Sequence, residues 1–109
     1  MSAGPRPGAR VRGSATGRPI MALLDLLGRR WAMRVIWELR GEPLTFRDLQ
    51  AACDGMSSSV LNQRLGELRE AGIAERAGEG FRLTDDGRRL LEAFAPLDAW
   101  ARRWARGSA

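Results

Sequence analysis

Residues 56–84 read MSSSVLNQRLGELREAGIAERAGEGFRLT, and the order of caps, apolar spacings and glycines in this stretch decides the fold. Ser57 suits a helix N-cap, with Met56 before it placed to staple against Leu61. Leu61, Leu65 and Leu68 recur on one side of the helix that follows, while Ser59, Asn62, Gln63, Gly66 and Glu70 fall on the other. Gly72 fits the left-handed position after a helix end, with Ile73 able to touch Leu68. A helix over Ser58 to Ala71 is predicted. Beyond it, Ile73 to Arg76 and Phe81 to Thr84 flank Ala77-Gly78-Glu79-Gly80, the pattern of a β-hairpin.

Working outward toward the C-terminus, Thr84 caps a last helix whose positive first turn carries Asp85 and Asp86. Leu90, Phe94, Leu97, Ala101 and Trp104 recur along it at spacings of four and three, with Trp100 on the flank. Pro96 removes one backbone bond and is expected to bend this helix. Toward the N-terminus, Asp54-Gly55 is a tight turn. Before it a short third helix starts at Thr45, with Asp48 as capping partner and Phe46, Leu49 and Ala52 inward. A second helix places Trp31, Val35 and Leu39 on one face and ends at Gly41 and Pro43. A first begins at Pro19, carries Ile20, Leu23, Leu24 and Leu27, and stops at Gly28. The expected fold is mainly α (α+β): a winged helix-turn-helix with a short two-stranded wing and flanking dimerisation helices, the fourth helix being the one that enters the major groove.

The 109 residues suffice for one domain. No apolar run is long enough for a membrane span and no signal peptide is evident, so a cytoplasmic location without membrane contact is expected. With no histidine and a single cysteine, Cys53, metal sites, cofactors and enzymatic chemistry find no support in the sequence. Net charge is +5, but Arg6, Arg10, Arg12 and Arg18 precede any acidic residue, so four of those charges sit in the first 18 residues. Residues 1–18, rich in Gly, Pro, Ser and Arg, are expected to be a disordered arm adding sequence-independent attraction to phosphates. Residues 19–106 form the winged-helix domain.

Leu24-Asp25-Leu26-Leu27-Gly28-Arg29-Arg30-Trp31 and Phe46-Arg47-Asp48-Leu49 resemble the HxlR-type family of bacterial winged-helix transcriptional regulators. So do Met56-Ser57, Val60-Leu61, Gln63-Arg64-Leu65, Glu67-Leu68, Ala71-Gly72, and Leu83-Thr84 with Gly87. Each piece alone is weak, and their joint order across residues 19–105 is specific. The resemblance implies DNA binding, a homodimer formed by the first and last helices, and control of a neighbouring gene. Many members carry a cysteine before the proline matching Pro19; here Arg18 stands there, and no redox sensing is expected at that place.

Asn and Gln side chains complement the N6 and N7 edge of adenine, and serine bonds bases or phosphates, so Ser58, Ser59, Asn62 and Gln63 are the candidate base readers. Thr45, Arg47, Arg76 and Arg82 are placed for phosphate contacts that set register. Arg64, at the margin of the apolar face, either braces the helix or reaches a phosphate. The apolar stripe of the last helix runs beyond what a small core needs. Leu90, Phe94, Leu97, Trp100 and Trp104, facing Leu23 and Leu27, are therefore the expected dimer interface. Cys53 reads as small apolar filling. The expected partners are double-stranded DNA on a (pseudo)palindromic operator, a second copy of the chain, and a small-molecule effector of unassigned identity. The competing reading is a winged-helix protein-interaction or dimerisation module with no specific DNA binding.

Overall fold

The computed structural model describes residues 18–107, so the arm expected over residues 1–18 lies, but for Arg18, outside the described residues. The chain runs α1 (Pro19–Leu27), α2 (Ala32–Glu38), β1 (Leu44–Thr45), α3 (Phe46–Ala52), α4 (Ser58–Glu70), β2 (Ala74–Ala77), β3 (Gly80–Leu83) and α5 (Asp85–Gly107). No helix among these residues is long and apolar enough to cross a membrane.

The polar residues at the helix starts satisfy orphan backbone donors. Thr45 accepts from the Asp48 amide at 3.1 Å, Ser57 from the Val60 amide at 3.2 Å, and Thr84 from the Gly87 amide at 3.0 Å. At the far end of α4, Gly72 has φ 79° and the Ile73 amide donates back to the Leu68 carbonyl at 2.8 Å. That is the reversal expected of a Schellman ending. Asp54 and Gly55 both take positive φ between α3 and α4, which turns the chain within a few residues.

The sheet has three strands in the order β1-β3-β2, all antiparallel, where two were expected. The extra strand, β1, is two residues long and pairs Leu44 with Phe81 and Thr45 with Gly80. A two-residue strand carries no alternation that a sequence pattern could display. Gly80 permits the pairing: a Cβ there would lie 2.4 Å from the Leu44 carbonyl oxygen. The wing beyond closes through Gly78 and Glu79 alone, because Ala77 and Gly80 are already paired.

The core gathers Leu26, Val35, Ile36, Leu39, Leu49, Cys53, Met56, Leu61, Leu65, Leu68, Phe81 and Leu83, drawn from α1 to α4 and the sheet. Two faces differ from expectation. In α1 the buried residues are Ala22 and Leu26, whereas Ile20 and Leu24 of the expected stripe are exposed. In α2 the inward set is Ala32, Val35 and Ile36, with Leu39 at the C-cap; Trp31 precedes the helix at φ 75° as its N-cap. Both helices are short, and over so few turns an apolar-rich segment offers more than one plausible stripe. Helix α5 continues through Pro96 to Gly107.

Candidate nucleic-acid interface

Helix α4 presents a polar exposed face. Leu61, Leu65 and Leu68 anchor it inward, and Ser58, Ser59, Asn62, Gln63 and Gly66 are exposed. The amides of Asn62 and Gln63 have no hydrogen-bonding partner among the described residues, so both groups are uncommitted. A Cβ on Gly66 would meet nothing within 4 Å, so this position is flat and open.

The serines are more constrained. Ser57 spends its oxygen on the Val60 amide. Gln50, on α3, donates from Nε2 to the Met56 carbonyl at 2.8 Å and to Ser58 Oγ at 3.1 Å. The side chain of one helix thereby fixes the entry to the next, and leaves the Ser58 hydroxyl hydrogen available as a donor. Sequence reading missed Gln50, because nothing in its spacing distinguishes it from a solvated glutamine.

Behind α4 lies a second feature that sequence reading missed. Glu67, 3 % exposed, accepts from Arg29 Nη1 at 2.6 Å and from Arg64 Nη1 at 3.1 Å. Arg64 also donates from Nε to the Arg30 carbonyl at 2.6 Å, and Arg29 from Nη2 to Asp25 at 3.2 Å. The Arg64 side chain is 14 % exposed and braces α4 against the α1–α2 turn. A carboxylate so placed is held by two guanidinium groups, which satisfies a charge that burial would otherwise penalise.

The remaining phosphate candidates lie apart from one another in character. Arg47 is exposed on the first turn of α3 and has no partner among the described residues. Arg76 lies over the Phe81 ring at 5.2 Å on the wing. Arg82 is paired with Glu75 at 2.8 Å, which offsets its charge. Thr45 serves as the α3 cap.

The expected interface residues also divide. Phe94 is buried in this chain's own core, with Leu27 and Leu90 packed against it and Leu23 half-buried. Leu97, Trp100 and Trp104 are exposed, the two indoles stacked at 5.8 Å. Ile20 and Leu24 of α1 join them as exposed large apolar residues.

The family model for the HxlR-like helix-turn-helix matches residues 26–109. The chain belongs to the HxlR family. As a helix-turn-helix protein of this family it is a DNA-binding regulator of transcription. Among curated relatives, the HTH-type transcriptional regulator YodB of Bacillus subtilis is 31% identical over 84 residues, covering 71% of this chain and 75% of that one. The HTH-type regulator YvaP of the same organism is 28% identical over 88 residues, covering 74% and 82%. The crystal structure of quinone-bound YodB superimposes with a TM-score of 0.73 at 31% identity, over 77% of this chain and 96% of that one. A possible HxlR family factor from Thermoplasma volcanium gives 0.68 at 28% identity, covering 77% and 82%. These HxlR-family relatives share the winged-helix architecture described above.

Proposed function

We propose that this HxlR-family chain acts as a homodimer on a (pseudo)palindromic operator, reading bases through Ser58, Ser59, Asn62 and Gln63 on α4. The observation that carries this reading is the uncommitted amide pair Asn62 and Gln63, presented on a helix held from behind by Leu61, Leu65, Leu68 and the Glu67 ion pairs. Two amides that each offer a donor and an acceptor match adenine in the major groove. Arg47 on α3 and Arg76 on the wing supply phosphate contacts, with Thr45 and Arg82 in minor roles.

Dimerisation proceeds through the exposed Leu97, Trp100 and Trp104 of α5 with Ile20 and Leu24 of α1. Exposed aromatics of this size are uncommon on a monomer and are typical of the apolar centre of an interface. Two-fold symmetry then sets two copies of α4 about 34 Å apart, one turn of duplex. The protein works in the cytoplasm and answers to a small-molecule effector, as the quinone bound to YodB suggests by analogy.

Selection of duplexes from a random pool by the full chain, followed by sequencing, tests this reading. Enriched half-sites carrying A·T pairs at positions spaced by one turn are expected. A pool that remains random, with binding that disappears at moderate salt, contradicts it.

A further inference from the structure

Gln50 stands on α3, and its side chain crosses to the start of α4. Its Nε2 donates to the Met56 carbonyl at 2.8 Å and to Ser58 Oγ at 3.1 Å, while its backbone carbonyl accepts from the Gly55 amide at 2.9 Å. We propose that Gln50 is a specificity-determining positioning residue. By donating to Ser58 it makes that hydroxyl a hydrogen-bond donor toward DNA, so that Ser58 selects guanine or thymine over adenine or cytosine. The inference rests on the reading of α4 as the base-reading helix.

Chemistry fixes the direction of the two side-chain bonds. A carbonyl oxygen only accepts, so the Met56 carbonyl requires the amide nitrogen of Gln50, and not its oxygen, on that side. Met56 belongs to the core, which makes its carbonyl a fixed anchor. The nitrogen carries a second hydrogen, and Ser58 Oγ lies within reach of it. Ser58 is therefore the acceptor in this contact.

Accepting from Gln50 occupies one lone pair of the Ser58 oxygen and leaves its hydrogen without a partner among the described residues. A hydroxyl that accepts is polarised and donates more strongly. Ser59 is not set in this way: its oxygen lies 3.5 Å from that of Ser57, and either hydroxyl could be the donor. Asn62 and Gln63 each carry a donor and an acceptor. Ser58 thus has its hydrogen-bonding sense set from outside α4, by a side chain of α3.

In the major groove that sense separates two classes of base. Guanine and thymine present the acceptors O6 and O4 where adenine and cytosine present the amino groups N6 and N4, and N7 is common to both purines. The first residues of a recognition helix are those that reach base edges. A donor at the start of α4 bonds a keto base and meets another donor on an amino base. Gln50, half-buried behind Ser58, acts without touching DNA.

Selection from a random duplex pool at about pH 8, where a carboxylate is ionised, followed by sequencing, compares the full chain with Ser58→Ala, Gln50→Met, Gln50→Glu and the double variant Gln50→Glu/Ser58→Ala. At one position beside the A·T pairs assigned to Asn62 and Gln63, the parent should enrich guanine or thymine about fivefold over adenine and cytosine, the worth of one net hydrogen bond. Ser58→Ala should lose that preference and keep the A·T pairs. Gln50→Met fills similar space without a donor, so Ser58 then donates or accepts alike and the preference should again disappear. In Gln50→Glu the carboxylate only accepts, the Ser58 hydrogen turns toward it, and the oxygen lone pairs face DNA. Preference at that position should pass to adenine or cytosine, and the double variant should abolish it. A role confined to holding the turn would change affinity at every position and reverse the preference at none. A keto preference that survives Ser58→Ala or Gln50→Glu overturns the proposal. Where Gln50→Glu loses its helical circular dichroism, survival of the preference in Gln50→Met overturns it instead. Ser58→Ala that weakens all duplexes alike puts the hydroxyl on a phosphate and also overturns it. A parent pool with the A·T pairs and no keto position strikes this proposal alone, whereas a pool that stays random strikes the base-reading assignment of α4 with it.

Discussion

Glu67 of α4 and Arg29 of the α1–α2 turn meet at 2.6 Å, with the carboxylate 3 % exposed and the guanidinium side chain about a quarter exposed. This contact joins segments 38 residues apart in sequence and sets the recognition helix against the N-terminal part of the domain. Glu67→Ala leaves Arg29 and Arg64 facing a vacated site. Because both arginines keep partial access to water, the loss should fall below that of a fully buried pair, about 2 to 3 kcal/mol. Urea unfolding measures it. A change within about 0.5 kcal/mol would place Glu67 among ordinary surface residues.

Two glycines should respond to alanine in opposite directions. Gly66 is an open position inside α4, so Gly66→Ala should stabilise the fold by about 0.5 to 1 kcal/mol through helix propensity. Gly80 lies against the backbone of β1, so Gly80→Ala must push the strands apart and should cost about 1 to 3 kcal/mol. Thermal unfolding of the pair reads both signs. Equal shifts for the two would show that the β1–β3 approach is not the constraint described.

Much of this was legible because caps and glycines act locally. Ser57, Thr45, Thr84 and Gly72 each state their position through a backbone group they must satisfy or a φ they must adopt, and each lies where the sequence places it. The rest depends on segments that meet only in the folded chain. Glu67 sits three residues from Arg64 on a helix with a polar face, so its burial depends on Arg29 arriving from far away. Strand β1 exists because Gly80 admits Leu44, and nothing within Leu44-Thr45 announces it. The inward face of α1 fell to Ala22 and Leu26, four residues apart on one side of the helix, and over nine residues the apolar run offers more than one such side. Among the candidate readers, side-chain chemistry was legible, but the role of Gln50 in ordering Ser58 was not.

Assembly gives a third expectation. Trp100 and Trp104 are 52% and 63% exposed and make little contact with the chain's own core. Replacing both with aspartate should leave the helical circular dichroism unchanged and convert a dimer to a monomer in sedimentation. A double variant that sediments as the parent does would remove α5 from the interface.

The alkaline limb of the stability curve isolates one residue. The sequence contains no lysine, tyrosine or histidine, so Cys53 is the only side chain that titrates between about pH 7 and 11. Burial pushes its thiol above the ordinary range, and the nearby Arg34 charge opposes only part of that. The folded value is raised, so its stabilising contribution is complete below the unfolded thiol's pKa of about 8.5. It is lost as the pH climbs from there toward the folded value. Unfolding free energy should fall by at most about 1.4 kcal/mol per pH unit in that window, and Cys53→Ala should flatten the curve. An equal decline in the alanine variant would assign the effect elsewhere.

In the proposed complex Asn62 and Gln63 read bases whereas Arg47 contacts only the phosphate backbone. Titrating a selected operator and a random duplex at one salt concentration, for Asn62→Ala, Gln63→Ala and Arg47→Ala, tests it most directly. The two amide variants should lose about 1 to 3 kcal/mol on the operator and little on random duplex. Arg47→Ala should weaken both duplexes alike. Equal losses on operator and random duplex for Asn62→Ala and Gln63→Ala would contradict the assignment of base reading to this face of α4.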